Sequence, residues 1–244
     1  MLTLRRRQVG VTLIELMIAS VIAMIILSAV LTVYSATSLH SSQHLQRSHL
    51  HQQLRSLMHL MSRDLRRAGY WKFDPHLRPP SDNPFQNGIN QLRISALTGE
   101  TPDSCILFSY DLDADGLVGV GQCSGSACGN ETDDDNVEQF GFRLRDTRIQ
   151  SRFGGIGFEC DTGYWQTVND ANIEITQLAF IRHLHCLNLF DKEQACSPGT
   201  PSLLQQAIEL KLSGQIHNQP ETVMTLNHWI HIRNDLLKDG TYTP

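Results

Sequence analysis

From Val11 to Ala68 the chain contains neither glycine nor proline. Those two residues are the strongest local interrupters of a helix, so nothing here breaks one. The first part, Val11 to Val33, is apolar apart from Thr12, Glu15, Ser20, Ser28 and Thr32. About 20 such residues span the hydrocarbon core of a bilayer as a helix. The second part changes character. Leu50, Leu54, Leu57, Met58, Met61, Leu65 and Ala68 recur at steps of three and four, giving one apolar face with a polar back. Gly69 stands where a helix C-cap belongs, and Arg63, Arg66 and Arg67 suit a helix C-terminus. The pattern predicts one helix over 11–68, roughly 87 Å long at ~1.5 Å per residue. Residues 11–34 form its membrane half and residues 35–69 its amphipathic half.

The flanks orient this helix. Arg5, Arg6 and Arg7 precede it and favour the cytoplasmic side, which places the C-terminal bulk outside. A secretory signal has an apolar core of roughly 7–15 residues followed by a small-residue cleavage site, and this core is longer. A plain single-pass anchor explains the length and the arginines but leaves Glu15 unexplained. A carboxylate inside hydrocarbon is costly unless a partner offsets it.

After Tyr70 the composition changes. Residues 74–90 are rich in Pro, Asn and Asp and read as a surface loop. Strand-like runs follow at Cys105–Tyr110, Gln139–Leu144, Trp165–Val168, Ile173–Ile181, Ala207–Leu212 and Val223–Arg233. The expected class is α+β: a long N-terminal helix packed on an antiparallel β-sheet head over 70–244. All six cysteines lie in that head, an even number that points to an oxidising compartment. Six cysteines allow fifteen pairings. Cys123 with Cys128 closes a short Gly/Ser hairpin, and Cys186 with Cys196 flanks a loop ending in Ser-Pro-Gly. That leaves Cys105 with Cys160 to tie two strands together.

Asp111, Asp113 and Asp115, followed by Gly116, have the D-x-D-x-D-G form of a Ca²⁺ loop. An EF-hand needs glutamate at position twelve, and Gln122 is there instead. Glu131 or one of Asp133, Asp134 and Asp135 is the alternative oxygen ligand; a solvated acidic turn is the alternative to any metal. His183, His185, Cys186 and Cys196 fit zinc poorly, because Cys186 is already assigned to a disulfide. His40 and His44, at i and i+4, read as a wet polar face. Neither a nucleophile elbow nor a phosphate loop occurs, and no enzyme is expected.

The basic leader, Gly10 and the run VTLIELM resemble the class III signal of type IV prepilins and pseudopilins. The resemblance implies that residues 1–10 are a leader, cut after Gly10 by a prepilin peptidase on the cytoplasmic side. Val11, where the family usually has Phe, would then be N-methylated. It also implies a partner for Glu15: the new amine of Val11 on a neighbouring subunit, which favours one stagger between subunits. MSRDLRRAGYW, SYDLDADG, FGFRLRDTRIQ, YWQTVND and the late IRN resemble the PilW family of minor type IV pilins. The implied protein is a minor pilin that primes and initiates fibre assembly with other minor and major pilins. It would sit in the inner membrane with a periplasmic head and join the pilus after assembly. Alternatives are a J-class pseudopilin of type II secretion and a calcium-dependent adhesive or sensory module at a pilus tip. Losing the leader leaves 17 Lys+Arg (20 less Arg5, Arg6 and Arg7) against 25 Asp+Glu, formally −8. That balance argues against a nucleic-acid partner.

Overall fold

A computed structural model describes residues 10–73, 76, 79–119, 138–155, 157–191, 194–197 and 199–238. The chain divides into two units, Met1–Ser48 and His49–Pro244. The described part of the first unit carries the start of a single helix, α1, Leu13–Leu65. Its large apolar side chains from Val11 to Leu45 are exposed. Among the described residues α1 is the one helix long and apolar enough to cross a membrane.

The second unit holds the end of α1 and two antiparallel sheets rather than the single sheet expected. The first has the order β1 (Arg93–Ser95), β2 (Cys105–Ser109), β3 (Gln139–Arg145), β4 (Arg148–Arg152), β5 (Trp165–Thr167). The second joins β6 (Ile173–Asn188), β7 (Ser202–Ile216) and β8 (Gln219–His231), with β9 (Leu236–Lys238) paired to β7. Leu50, Leu54, Leu57, Met61 and Leu65 of α1 are buried against both sheets. They share one core with Ile106, Phe108 and Phe142 of the first and with Phe180, Ile208, Leu210 and Leu212 of the second. This is the α+β, pilin-like arrangement of a long helix on antiparallel sheets.

Strand β2 reads as an unbroken apolar run because both its faces are covered. Ile106 and Phe108 face the main core, whereas Cys105 and Leu107 join Phe158 and Cys160 in a second, smaller cluster. The segment after β4 forms that second cover, and two buried arginines hold it down. Arg152 Nη1 donates to the Gln139 carbonyl at 2.5 Å, and Nη2 donates to those of Gly155 and Gly157 at 2.8 and 2.7 Å. Burial pulls the Arg152 pKa down to about 10. Arg143 donates to the Cys160 carbonyl and, at 2.8 Å, to Gln150 Oε1; its guanidinium lies 4.2 Å from the Trp165 ring centre. A Cys105–Cys160 disulfide fastens the same cover.

Helix α1 ends three residues before Ala68, where the chain tightens into turns and the carbonyls that follow are taken by another part of the head. Arg67 and Ala68 donate back to Asp64 and Leu65 in tight i→i+3 turns. The Arg66 carbonyl accepts from Arg233 N at 3.3 Å, and those of Arg67 and Ala68 accept from Asn234 Nδ2 at 3.3 and 3.1 Å. Gly69 has φ +72°, as a helix C′ residue often does. A Cβ there would also lie 2.3–2.9 Å from the Gln86 side chain.

Candidate functional site

The scissile bond expected after Gly10 lies outside α1. The first i→i−4 bond runs from Leu16 N to the Thr12 carbonyl, at 3.2 Å, which makes Thr12 the N-cap. The Thr12 backbone N–H and hydroxyl both donate to Glu15 Oε2 at 3.0 Å, and Glu15 N donates back to Thr12 Oγ1 at 3.4 Å. This is a reciprocal capping box, T-x-x-E, and it satisfies two of the free backbone donors of the helix start, those of Thr12 and Glu15. So within one uncleaved subunit, where Val11 N is still an amide, the partner of Glu15 is Thr12. Sequence reasoning passed over Thr12 as a mere polar interruption. The spacing Thr12–Glu15 was the signal that identifies it.

The other polar groups of the apolar stretch are satisfied within the helix. Ser20, Ser28 and Thr32 donate to the carbonyls of Met17, Ile25 and Ser28, each at 2.8 Å. A hydroxyl bonded to its own helix carries little burden into an apolar environment. Glu15 remains the one ionisable side chain from Val11 to Val33. Every described side chain there is exposed in the single chain. Burying that surface requires lipid or other subunits.

The aspartate loop follows β2. One oxygen from each of Asp111, Asp113 and Asp115 falls within 4.8 Å of the others. Asp111 is buried, and both its oxygens accept backbone N–H groups. Oδ2 takes those of Lys72 at 2.8 Å and Gly116 at 3.0 Å, and Oδ1 takes that of Asp115 at 3.2 Å. Gly116, at φ +82°, passes 3.1 Å from the Lys72 carbonyl by the position a Cβ would occupy. A fourth acid, Glu138, leans on the loop and accepts from Leu112 N at 2.7 Å and Gly119 N at 3.1 Å. Burial, with Asp113 and Asp111 nearby, pushes the Glu138 pKa up to about 7 against those two bonds. Burial and Asp115 likewise raise that of Asp113. The donor set is all oxygen, which suits a hard cation. Glu131 and Asp133–Asp135 lie outside the described residues. Glu138 was missed because it is remote in sequence, and only the β2–β3 pairing brings it to the loop.

Two disulfides join described cysteines, Cys105–Cys160 and Cys186–Cys196. Cys123 and Cys128 lie outside the described residues. Because Cys186 and Cys196 are bonded to each other, neither supplies a zinc thiolate. His183 instead packs its ring 4.5 Å from that of Trp229 and lies 3.4 Å from Glu209. His40 and His44 are exposed on α1.

Among curated proteins and among solved structures nothing matches this chain. Two family models do. The prokaryotic N-terminal methylation motif matches residues 5–31, across the capped helix start and most of the apolar stretch. Prepilin peptidase-dependent protein B matches residues 43–232, which takes in the amphipathic helix and almost all of the described head. A capped apolar helix that begins just after a prepilin-type glycine, and a head matched over most of its length, place the chain in one family: it belongs to the prepilin peptidase-dependent protein B family.

Proposed function

We propose that the chain is a minor pilin of the PilW type, which helps to prime and initiate fibre assembly by packing its helix against other pilins. The leader is residues 1–10. A prepilin peptidase cuts after Gly10, and Val11 becomes the N-methylated first residue. Residues 11–34 hold the subunit in the inner membrane and then in the assembly, residues 35–69 carry the amphipathic half, and the head from residue 70 is periplasmic. The activity is association, not turnover. The carrying observation is the coincidence of the methylation motif with a helix whose apolar side chains are exposed from Val11 to Leu45.

Glu15 has two successive partners in this reading. In the precursor it caps its own helix through Thr12. After cleavage Val11 carries a positive amine, and the Glu15 carboxylate of one subunit meets the amine of the next. Both charges are costly alone in apolar surroundings and less so as a pair. The decisive experiment is the intact mass of the protein from native membranes. A mass starting at N-methyl-Val11 supports the reading, and one that includes Met1 or begins past Val33 defeats it. The calcium-dependent tip module keeps one observation in its favour, the four carboxylates of Asp111, Asp113, Asp115 and Glu138 gathered at one loop.

A further inference from the structure

The outward face of α1 in the head carries charge of one sign. Between Glu15 and Asp64 the chain has no aspartate or glutamate. His51, Arg55, His59 and Arg63 follow one another at steps of four, and Arg66 comes three further on. At ~100° per residue these five fall within about 120° of arc, turned away from the stripe Leu50, Leu54, Leu57, Met61 and Leu65 that fills the core. Arg55, His59, Arg63 and Arg66 are exposed and His51 is half-buried. Arg63 has a neighbouring carboxylate, Asp64 Oδ1, at 3.4 Å. No described acid pairs with Arg55 or Arg66. Between them on this face Gln52 is polar and exposed, and Ser62, on the edge nearest the core stripe, is polar and buried.

We propose that this cationic face docks the acid-bearing helix of a different pilin-type subunit. The inference rests on the assembly reading and adds the chemistry of the partner. Three occupants compete. A second copy of this chain offers no carboxylate anywhere from Leu16 to Arg63, so helix packed on helix leaves the stripe without an acidic partner at any stagger within that span and sets cation against cation where the two stripes overlap. Anionic lipid is the second. The stripe begins 18 residues after Val33, about 27 Å of helix contour, whereas one headgroup layer is only about 5–8 Å deep. The third is a neighbour held by the apolar stretch, whose own helix then continues alongside this one. Asp or Glu spaced at three and four residues on that helix complements the stripe, and like charges there are excluded. The face therefore selects an unlike partner and disfavours runs of this subunit.

The test uses the full-length chain in its native membrane with its companion pilins. p-Benzoylphenylalanine replaces Gln52, on the stripe, or Asn227, on the outer side of β8, as control. The expected result at Gln52 is an adduct with a pilin-type subunit other than this chain, mapped within one helical turn of an Asp or Glu. Arg55→Glu with Arg66→Glu lowers its yield at least fivefold, Arg55→Lys with Arg66→Lys does not, and converting the mapped partner acid to Arg restores it. The Cys105–Cys160 bond, unchanged in every variant, shows that the head still folds, and unchanged leader cleavage shows that the chain is still processed. An adduct chiefly with a second copy, an adduct with lipid, or a yield indifferent to Arg55→Glu and Arg66→Glu overturns the inference. If pilins still co-purify in a Glu15-dependent manner, the assembly reading survives that failure. If none does, both fall.

Discussion

Removing the two described disulfides should have unequal effects, and the inequality follows from where they sit. Cys105–Cys160 closes a span of 55 residues and Cys186–Cys196 one of 10. In the chain-entropy picture these loops restrict the unfolded ensemble by about 4.2 and about 2.7 kcal/mol at 25 °C, so the longer bridge contributes about 1.5 kcal/mol more. Burial acts in the same direction. Cys105 and Cys160 are 0% and 2% exposed inside the cluster with Leu107 and Phe158, so truncating them also leaves a void; Cys186 and Cys196 are only partly buried. We expect Cys105→Ala with Cys160→Ala to destabilise the head by about 4 kcal/mol or more, and Cys186→Ala with Cys196→Ala by about 2–3. The assay is urea unfolding of the full-length chain in detergent, followed by tryptophan fluorescence, since all three tryptophans lie in the head. If the short-loop pair costs as much as the long-loop pair, the reasoning from loop length and burial is refuted. If loss of Cys105–Cys160 leaves the transition unmoved, the arginine clamps alone hold the cover over β2.

The remaining predictions concern the helix ends and the aspartate loop. Replacing Gly10 by a bulky residue should block processing, read as retention of the leader mass. Glu15→Gln keeps a capping-box acceptor but loses the charge, and Thr12→Ala does the reverse; assembly should fail in the first and persist in the second, so normal fibres or complexes with Glu15→Gln would remove the charge-pair explanation. Gly69→Ala should cost about 1–3 kcal/mol, because φ is +72° and the new methyl meets Gln86; an unchanged melting curve would refute this. If the aspartate loop binds Ca²⁺, a hundredfold excess over Kd adds about 2.7 kcal/mol and raises melting by several degrees relative to chelator. In chelator Asp113→Asn should stabilise, since burial and Asp115 disfavour its charge in the fold, whereas Asp111→Asn should destabilise by removing an oxygen that accepts backbone N–H groups. Identical curves in Ca²⁺ and chelator would leave the loop as a turn without a cation.

Much of the fold was legible because its signals are local. The absence of Gly and Pro marks α1, the three–four spacing marks its buried face, and the paired-face burial of β2 produces a continuous apolar run. Strand β4, Arg148–Arg152, was missed because Ile149 is its only apolar residue. Its partner β3 is joined to it by Asp146 and Thr147, both at positive φ, in the manner of a two-residue hairpin turn without glycine. The far part of β6 was missed because its side chains from Arg182 to His185 are exposed, so no alternation marks it; its pairing with β7 defines it instead. The split into two sheets had no local signature. β5 and β6 are separated by only a few residues, yet pair with different neighbours. At the candidate site, Glu15 and the aspartates declare themselves by type and spacing. Thr12 was readable from T-x-x-E, whereas Glu138 depends on a long-range pairing that composition does not encode.

The clasp at the end of α1 has a mechanical consequence. A tension applied along the helix reaches the head as shear, so Leu50, Leu54, Leu57, Met61 and Leu65 resist together rather than peeling one after another. Past Leu65 the load divides. One path is covalent, through Gly69; the other crosses to the segment between β8 and β9 through Arg233 N and Asn234 Nδ2. Drawing the helix out of the head therefore means rupturing, together with its buried face, bonds between segments 166 and 167 residues apart, a strap held from both sides rather than a zipper opened from one.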